Sequence, residues 1–335
     1  MKHEVKVTAV IILMFILTQA LGLVVIDAYA PKTSFTPTGS NATIPYGMQP
    51  PEAPAEISLG SIAISLVIAI FIFFLLMKIK AKSLIKVWFT VVVFLTIAIA
   101  LNAVMIKLFP ESSVRLDTIA VILAVPLTFY KIFRRNMIVH NATELLIYPG
   151  LAVIFIPILI DNTYRLAGLW ELQNFLTIPL IASFFKIWPI IILLILISIY
   201  DIYAVWKSSL MAKLAKFQIQ KVGVFTGFLI PYLPKKERIL LDKARKIKTK
   251  RAQTKALRKI KISLALLGGG DVAFPLIFAG VVYRSSGLVP AIIVMAGTTI
   301  SLALLLSFSR KGKMYPAMPY LTAGCVIAWL LSLLI

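Results

Sequence analysis

Apolar residues run along this chain in long unbroken stretches, and polar residues gather between the stretches instead of alternating through them. Nine such runs approach the roughly 20 residues that an α-helix needs to cross a ~30 Å hydrocarbon core. They fall at 7–29, 57–77, 86–108, 116–133, 141–160, 185–206, 262–282, 288–308 and 316–335. The pattern predicts an all-α polytopic membrane protein with nine transmembrane helices in a single membrane domain, 1–335. It divides into a six-helix part (1–206), a basic loop (207–261) and a three-helix part (262–335).

The first run has some features of a secretory signal, with Lys2 and Lys6 ahead of it and Ala28-Tyr29-Ala30 after it. Its apolar core, 7–26, is longer than the roughly 7 to 15 residues of a signal h-region, and Asp27 sits beside the supposed cut, so it reads as a span. The segment 30–56 is rich in Pro, Ser and Thr and reads as an irregular surface loop. Within the long loop, 222–230 is β-branched and aromatic, and Pro231 and Pro234 close it. It is too short to cross a membrane and predicts a strand or a membrane-surface segment. The basic tract 235–261 reads either as a helix on anionic headgroups or as a solvated charge run.

Composition agrees with the pattern: 60% hydrophobic residues, 14% charged residues and a mean hydropathy of +0.95 exclude a soluble globule. The net charge of +22 does not point to nucleic acid, because 29 of the 35 Lys and Arg residues lie in the N-terminus and the even-numbered loops. The positive-inside rule then places the N-terminus in the cytoplasm and, with nine spans, the C-terminus outside. The single cysteine, Cys325, excludes a disulfide framework and a thiolate cluster. Asn-Ala-Thr occurs at Asn41 and Asn141; the second falls at a predicted cytoplasmic boundary, where glycosylation does not occur.

Against this apolar background two carboxylates stand out. Asp201 and Asp271 are the acidic residues set most clearly within apolar spans, where an ionisable side chain costs roughly 2.5 to 3.5 kcal/mol and marks function. Two carboxylates within a few ångströms do not both ionise cheaply, so the pair shares a proton. That state lets one group activate a water while the other protonates a peptide carbonyl oxygen. Gly268, Gly269 and Gly270 precede Asp271 and remove the side chains that hold neighbouring helices apart. Pro316, Ala317, Met318 and Pro319 open the last span, and two prolines in four residues leave backbone groups without helical partners.

With these motifs the chain resembles the presenilin and signal peptide peptidase family of intramembrane aspartyl proteases. Tyr200-Asp201 is similar to its YD motif, Gly268, Gly270 and Asp271 to GxGD, and Pro316-Ala317-Met318 to PAL, with Met in place of Leu and Pro319 following. The motifs lie on the sixth, seventh and ninth predicted spans. The resemblance implies a presenilin-like fold, Asp201 and Asp271 as the catalytic pair, and Pro316, Ala317 and Met318 as site-forming residues that engage substrate. It implies no metal and no cofactor. It also implies transmembrane proteins or peptides as substrates, cleaved within the lipid bilayer, and the inside N-terminus suggests substrates whose own N-terminus is outside.

Other membrane proteases fit the inventory poorly. HExxH is missing, and the two histidines, His3 and His140, fall outside the predicted spans, which leaves neither a zinc site nor a serine–histidine dyad. The alternative from another class is a proton-coupled transporter in which the two aspartates relay protons; it would be expected to show internal repeats, and no convincing one is present.

Overall fold

The computed structural model describes residues 5–29, 68, 75, 82–109, 116–133, 137–169, 179–206, 227–232, 237, 240, 263–309 and 315–334. In chain order the elements are α1 (Val5–Ala28), α2 (Lys82–Leu108), α3 (Leu116–Phe133), α4 (Met137–Leu169), α5 (Pro179–Trp206), β1 (Gly227–Tyr232), β2 (Ser263–Gly268), α6 (Gly269–Ser286), α7 (Leu288–Phe308) and α8 (Met318–Ser332). Eight of the nine predicted spans thus contain a described helix. The predicted span 57–77, apart from the helical Ile68 and Leu75, lies outside the described residues, as do the loop 30–56 and most of the basic tract. Among the described residues, four helical stretches, Lys6–Ala28, Ser83–Leu108, Met137–Ile156 and Leu288–Phe308, are long and apolar enough to cross a membrane by length and composition.

Helix α6 is the hub. It packs against α1, α4, α5, α7, α8 and both strands, and Val272 and every residue from Pro275 to Val282 along it are buried. A helix enclosed on all sides has no polar face to show, which is why its sequence carries no amphipathic stripe. Around it the largest buried side chains are Trp329, Tyr148, Phe15, Phe228 and Phe278. Phe15 and the wholly buried Gln19 place α1 in this core, consistent with a span. Small residues set the closest approaches: a Cβ on Gly150 would lie 2.1 Å from the carbonyl oxygen of Thr96 in α2, and one on Gly297 would lie 2.4 Å from Ala328 Cβ in α8.

Two corrections to the sequence reading concern the strands. The apolar run 262–282 does not begin as a helix: Ser263–Gly268 forms β2, antiparallel to β1, so the chain is not purely α-helical. Apolar runs of this length do not distinguish a buried strand from a buried helix, and here the partner strand decides. The strand predicted over 222–230 is observed at Gly227–Tyr232, while 222–226 lie outside the described residues. It runs through Pro231 instead of ending at it. The register pairs Gly227 with Gly268, Leu229 with Leu266 and Pro231 with Leu264. Leu229 turns both its N–H and its C=O away from β2, towards Asn141. By the alternation of antiparallel pairs, Pro231 also faces away, where a missing N–H costs the ladder nothing.

Among the described residues, two groups of charged side chains away from Asp201 and Asp271 are paired. Lys131, near the end of α3, is buried against Glu144 of α4. At the other end of the bundle Asp27 of α1 accepts hydrogen bonds from Lys107 of α2 and Tyr283 of α6. Helix α4 begins at Met137, four residues before its predicted start, so it already includes His140, and it continues past residue 160 because polar residues mark the edge of the apolar run without breaking the helix.

Candidate active site

Asp201 lies five residues before the end of α5, about 7.5 Å along its axis, and Asp271 is the third residue of α6, about 3 Å from its start at 1.5 Å per residue. The two helices pack together, and the carboxylates come close enough to interact electrostatically. The structure therefore brings together the two acids that sequence singled out, from elements 70 residues apart in the chain.

Each acid has its own support. Asp201 is 6% exposed, and its Oδ2 accepts the backbone N–H of Met318 at 3.1 Å. That N–H sits in the first turn of α8, where helix donors have no intrahelical partner, so the carboxylate of α5 caps the N-terminus of α8. Ala317 is the residue before that helix and Pro319 lies in its first turn. Pro316 and Met318 are buried and Ala317 is half-buried. The Met318 N–H in this motif is taken by Asp201. One turn away, Ser198 of α5 and Thr322 of α8 bond hydroxyl to hydroxyl at 2.8 Å. Tyr200 is half-buried beside Asp201.

Asp271 is partly exposed in the first turn of α6. Gly268 ends β2, and a Cβ there would lie 3.1 Å from Asp271 Oδ2, so a side chain would crowd the carboxylate. Gly269 opens the helix. Gly270 is exposed, and its Cβ would meet only Phe274, at 3.5 Å. The glycine run thus serves the strand-to-helix junction and the space around Asp271; the tight helix contacts fall on other glycines. Pro275 has no N–H to give the carbonyl of Asp271, which leaves that carbonyl outside the helical ladder.

Sequence reasoning missed three residues here. Gln19 of α1 donates its Nε2–H to the carbonyl of Val272, next to Asp271, at 3.3 Å. His140 and Asn141 of α4 bond the backbone of β1. An amide wholly buried in an apolar span is a signal that sequence offers for Gln19; Asn141 was weighed only as a glycosylation signal. Among the described residues no cluster of three or more His, Cys, Asp or Glu side chains is arranged to hold a metal ion.

Residues 176–335 match the family described as signal-peptide peptidase, presenilin aspartyl protease. Two solved structures of a presenilin family intramembrane aspartate protease are similar to the whole chain. One, in space group C222, is 17% identical with a TM-score of 0.58 and covers 98% of this chain and 99% of that chain. The other, in space group P2, is 19% identical with a TM-score of 0.53 and covers 97% of each. No curated protein matches by sequence. The family and both structural neighbours are intramembrane aspartate proteases, and the family together with the apolar helices makes this an integral, multi-pass membrane protein. Residues 176–335, which hold both aspartates and the motifs around them, are thus similar to the signal-peptide peptidase, presenilin aspartyl protease family, and the chain takes the fold of a presenilin-family protease.

Proposed function

We propose that the chain is an intramembrane aspartyl endopeptidase that cuts transmembrane segments of single-span membrane proteins, with Asp201 and Asp271 as its catalytic pair. The observation that carries this reading is the placement of the two carboxylates near the ends of two packed helices, beside the end of β2. One carboxylate takes a proton from a water, the water oxygen attacks the scissile carbonyl carbon, and the other carboxyl gives its proton to the carbonyl oxygen. Collapse of the tetrahedral diol breaks the C–N bond, and the amine leaves with a proton returned through the pair.

A transmembrane substrate must be unwound before it reacts, because intrahelical bonds shield its carbonyls, and its freed backbone then needs partners in a water-poor setting. A strand within 222–230, as the sequence predicts, would be one candidate pairing edge. In the structure the outer edge of β1 is taken by α4, whereas Leu264 and Leu266 of β2 turn their N–H and C=O groups away from β1 and meet no partner among the described residues. The reading therefore moves to β2: the substrate strand pairs with its open edge and runs past Gly268 to Asp271. Gly268, Gly269 and Gly270 keep that path clear, and Tyr200, Pro316, Ala317 and Met318 form the wall on the Asp201 side. Charge placement puts the N-terminus in the cytoplasm and favours substrates with an outside N-terminus. The test is incubation of the purified protein with a single-span substrate, with products mapped by mass. Cuts within the span that vanish with either aspartate replaced support the reading, and intact substrate refutes it.

A further inference from the structure

Two consecutive residues near the start of α4 close one edge of the sheet. Leu229 gives its N–H to Asn141 Oδ1 at 3.0 Å and receives the Asn141 amide hydrogen on its carbonyl at 2.9 Å. One side-chain amide thus plays the part of a neighbouring strand residue. The carbonyl of Gly227, the next group facing the same way, takes a hydrogen bond from His140 Nε2 at 2.9 Å. A carbonyl only accepts, so Nε2 carries the hydrogen. At the following outward position Pro231 has no N–H to offer. Gly227 itself has φ 139°, a conformation that favours glycine, so the strand enters this clamp through a residue suited to it.

The clamp is anchored along the same face of α4. Glu144, one turn on from His140, lies 3.7 Å from its Nε2 and is paired with the buried Lys131. Tyr148, one further turn on, packs edge to face against Phe228 of β1 with ring centroids 5.8 Å apart. These contacts join α3, α4 and the sheet through polar side chains that the chemistry at Asp201 and Asp271 does not use.

We propose that Asn141 and His140 are positioning residues that deny the outer edge of β1 to substrate and hold the β1–β2 sheet in one place, so that pairing occurs on β2 and the cut falls at one position. The inference rests on the proteolytic reading above. A peptide paired to β1 would lie three strand spacings from its place on β2, about 14 Å away, and out of reach of Asp271. An open β1 edge would therefore hold substrate unproductively, and a loosened sheet would present neighbouring bonds to the dyad.

The experiment compares wild type with Asn141→Ala, Asn141→Asp and His140→Ala in the full-length protein. It reads the cut positions on a synthetic single-span peptide by mass spectrometry and amide exchange at Leu229. Asn141→Ala is expected to spread the cut over neighbouring bonds and to speed exchange at Leu229 about tenfold, the worth of one hydrogen bond. Asn141→Asp keeps the acceptor and loses the donor, so its effect falls between. A merely structural role would lower the amount of folded protein without moving the cut. Wild-type cut positions and exchange in Asn141→Ala overturn the proposal. Should Asn141→Ala fail to fold, Asn141→Asp and His140→Ala decide, with the same changes expected at smaller size and unchanged behaviour in both overturning it. Should wild type cut nothing, the proteolytic reading fails, and exchange alone decides on the closed edge: acceleration supports it, and none overturns it.

Discussion

Replacing Gly268 with Ala tests whether the position of the Asp271 carboxylate is the one used in catalysis. Gly268 has φ −63° and ψ 146°, ordinary extended backbone, so alanine brings no backbone strain. The added Cβ would lie 3.1 Å from Asp271 Oδ2, closer than a comfortable contact, so the carboxylate must give by a few tenths of an ångström. A misplacement of about 1 Å can cost a catalytic site on the order of a hundredfold, so a shift of this size is expected to lower kcat about tenfold. The assay is initial-rate cleavage of a single-span peptide in liposomes, with circular dichroism melting to confirm the fold. Gly270→Ala is the companion variant: its Cβ would meet only Phe274, at 3.5 Å, an ordinary contact, so any loss there should come through substrate approach and appear in KM. A kcat for Gly268→Ala within about twofold of wild type would refute the argument, because a carboxylate indifferent to that contact is not held where the reaction needs it.

Three further outcomes are expected. Asp201→Ala and Asp271→Ala, and the corresponding Asn variants, should each abolish cleavage with little effect on folding, measured by product yield and melting; substantial turnover by any of them removes the shared-proton mechanism. Leu266→Pro deletes an outward N–H of β2 while sparing the ladder to β1, so it should reduce cleavage at least about tenfold, whereas Leu266→Thr, which keeps the donor, should stay within about threefold; equal rates in the two would take β2 out of substrate binding. Cysteines placed in 30–56 should label from outside and those in 235–261 only after permeabilisation, since 29 of 35 basic residues lie in the N-terminus and even-numbered loops; the reverse pattern would favour substrates of opposite orientation.

The parts of the molecule legible in its sequence are those governed by transfer from water to lipid. Runs of apolar residues located eight described helices, and the cost of burying a carboxylate pointed to Asp201 and Asp271 before any contact was known. What stayed hidden depends on partners distant in the chain. Ser263, Leu264, Ala265, Leu266 and Leu267 suit a helix as well as a strand until β1 lies beside them, and Pro231 looks like a terminator until its missing N–H is seen to face away from the ladder. Asn141 belongs to the same class: its role rests on Leu229, 88 residues further on, and nothing in its neighbours signals that contact. The Asp201 cap on α8 crosses 117 residues and turns a proline motif into the holder of the Asp201 carboxylate.

The buried Lys131–Glu144 pair bears on how the protein is made. Each of these charges is costly to bury alone, so α3 or α4 taking its place in the bundle without the other would carry that cost. The two helices are separated in sequence only by residues 134–136, and the charged groups stand 13 positions apart. The partners therefore leave the ribosome almost together and can neutralise each other as a helical hairpin during insertion. A variant that removes one partner leaves the other buried and alone, at about 3 to 5 kcal/mol, and its first consequence would fall on biogenesis. Lost proteolysis in a Glu144 or Lys131 variant would accordingly report how much protein reached the membrane before it reported anything about chemistry.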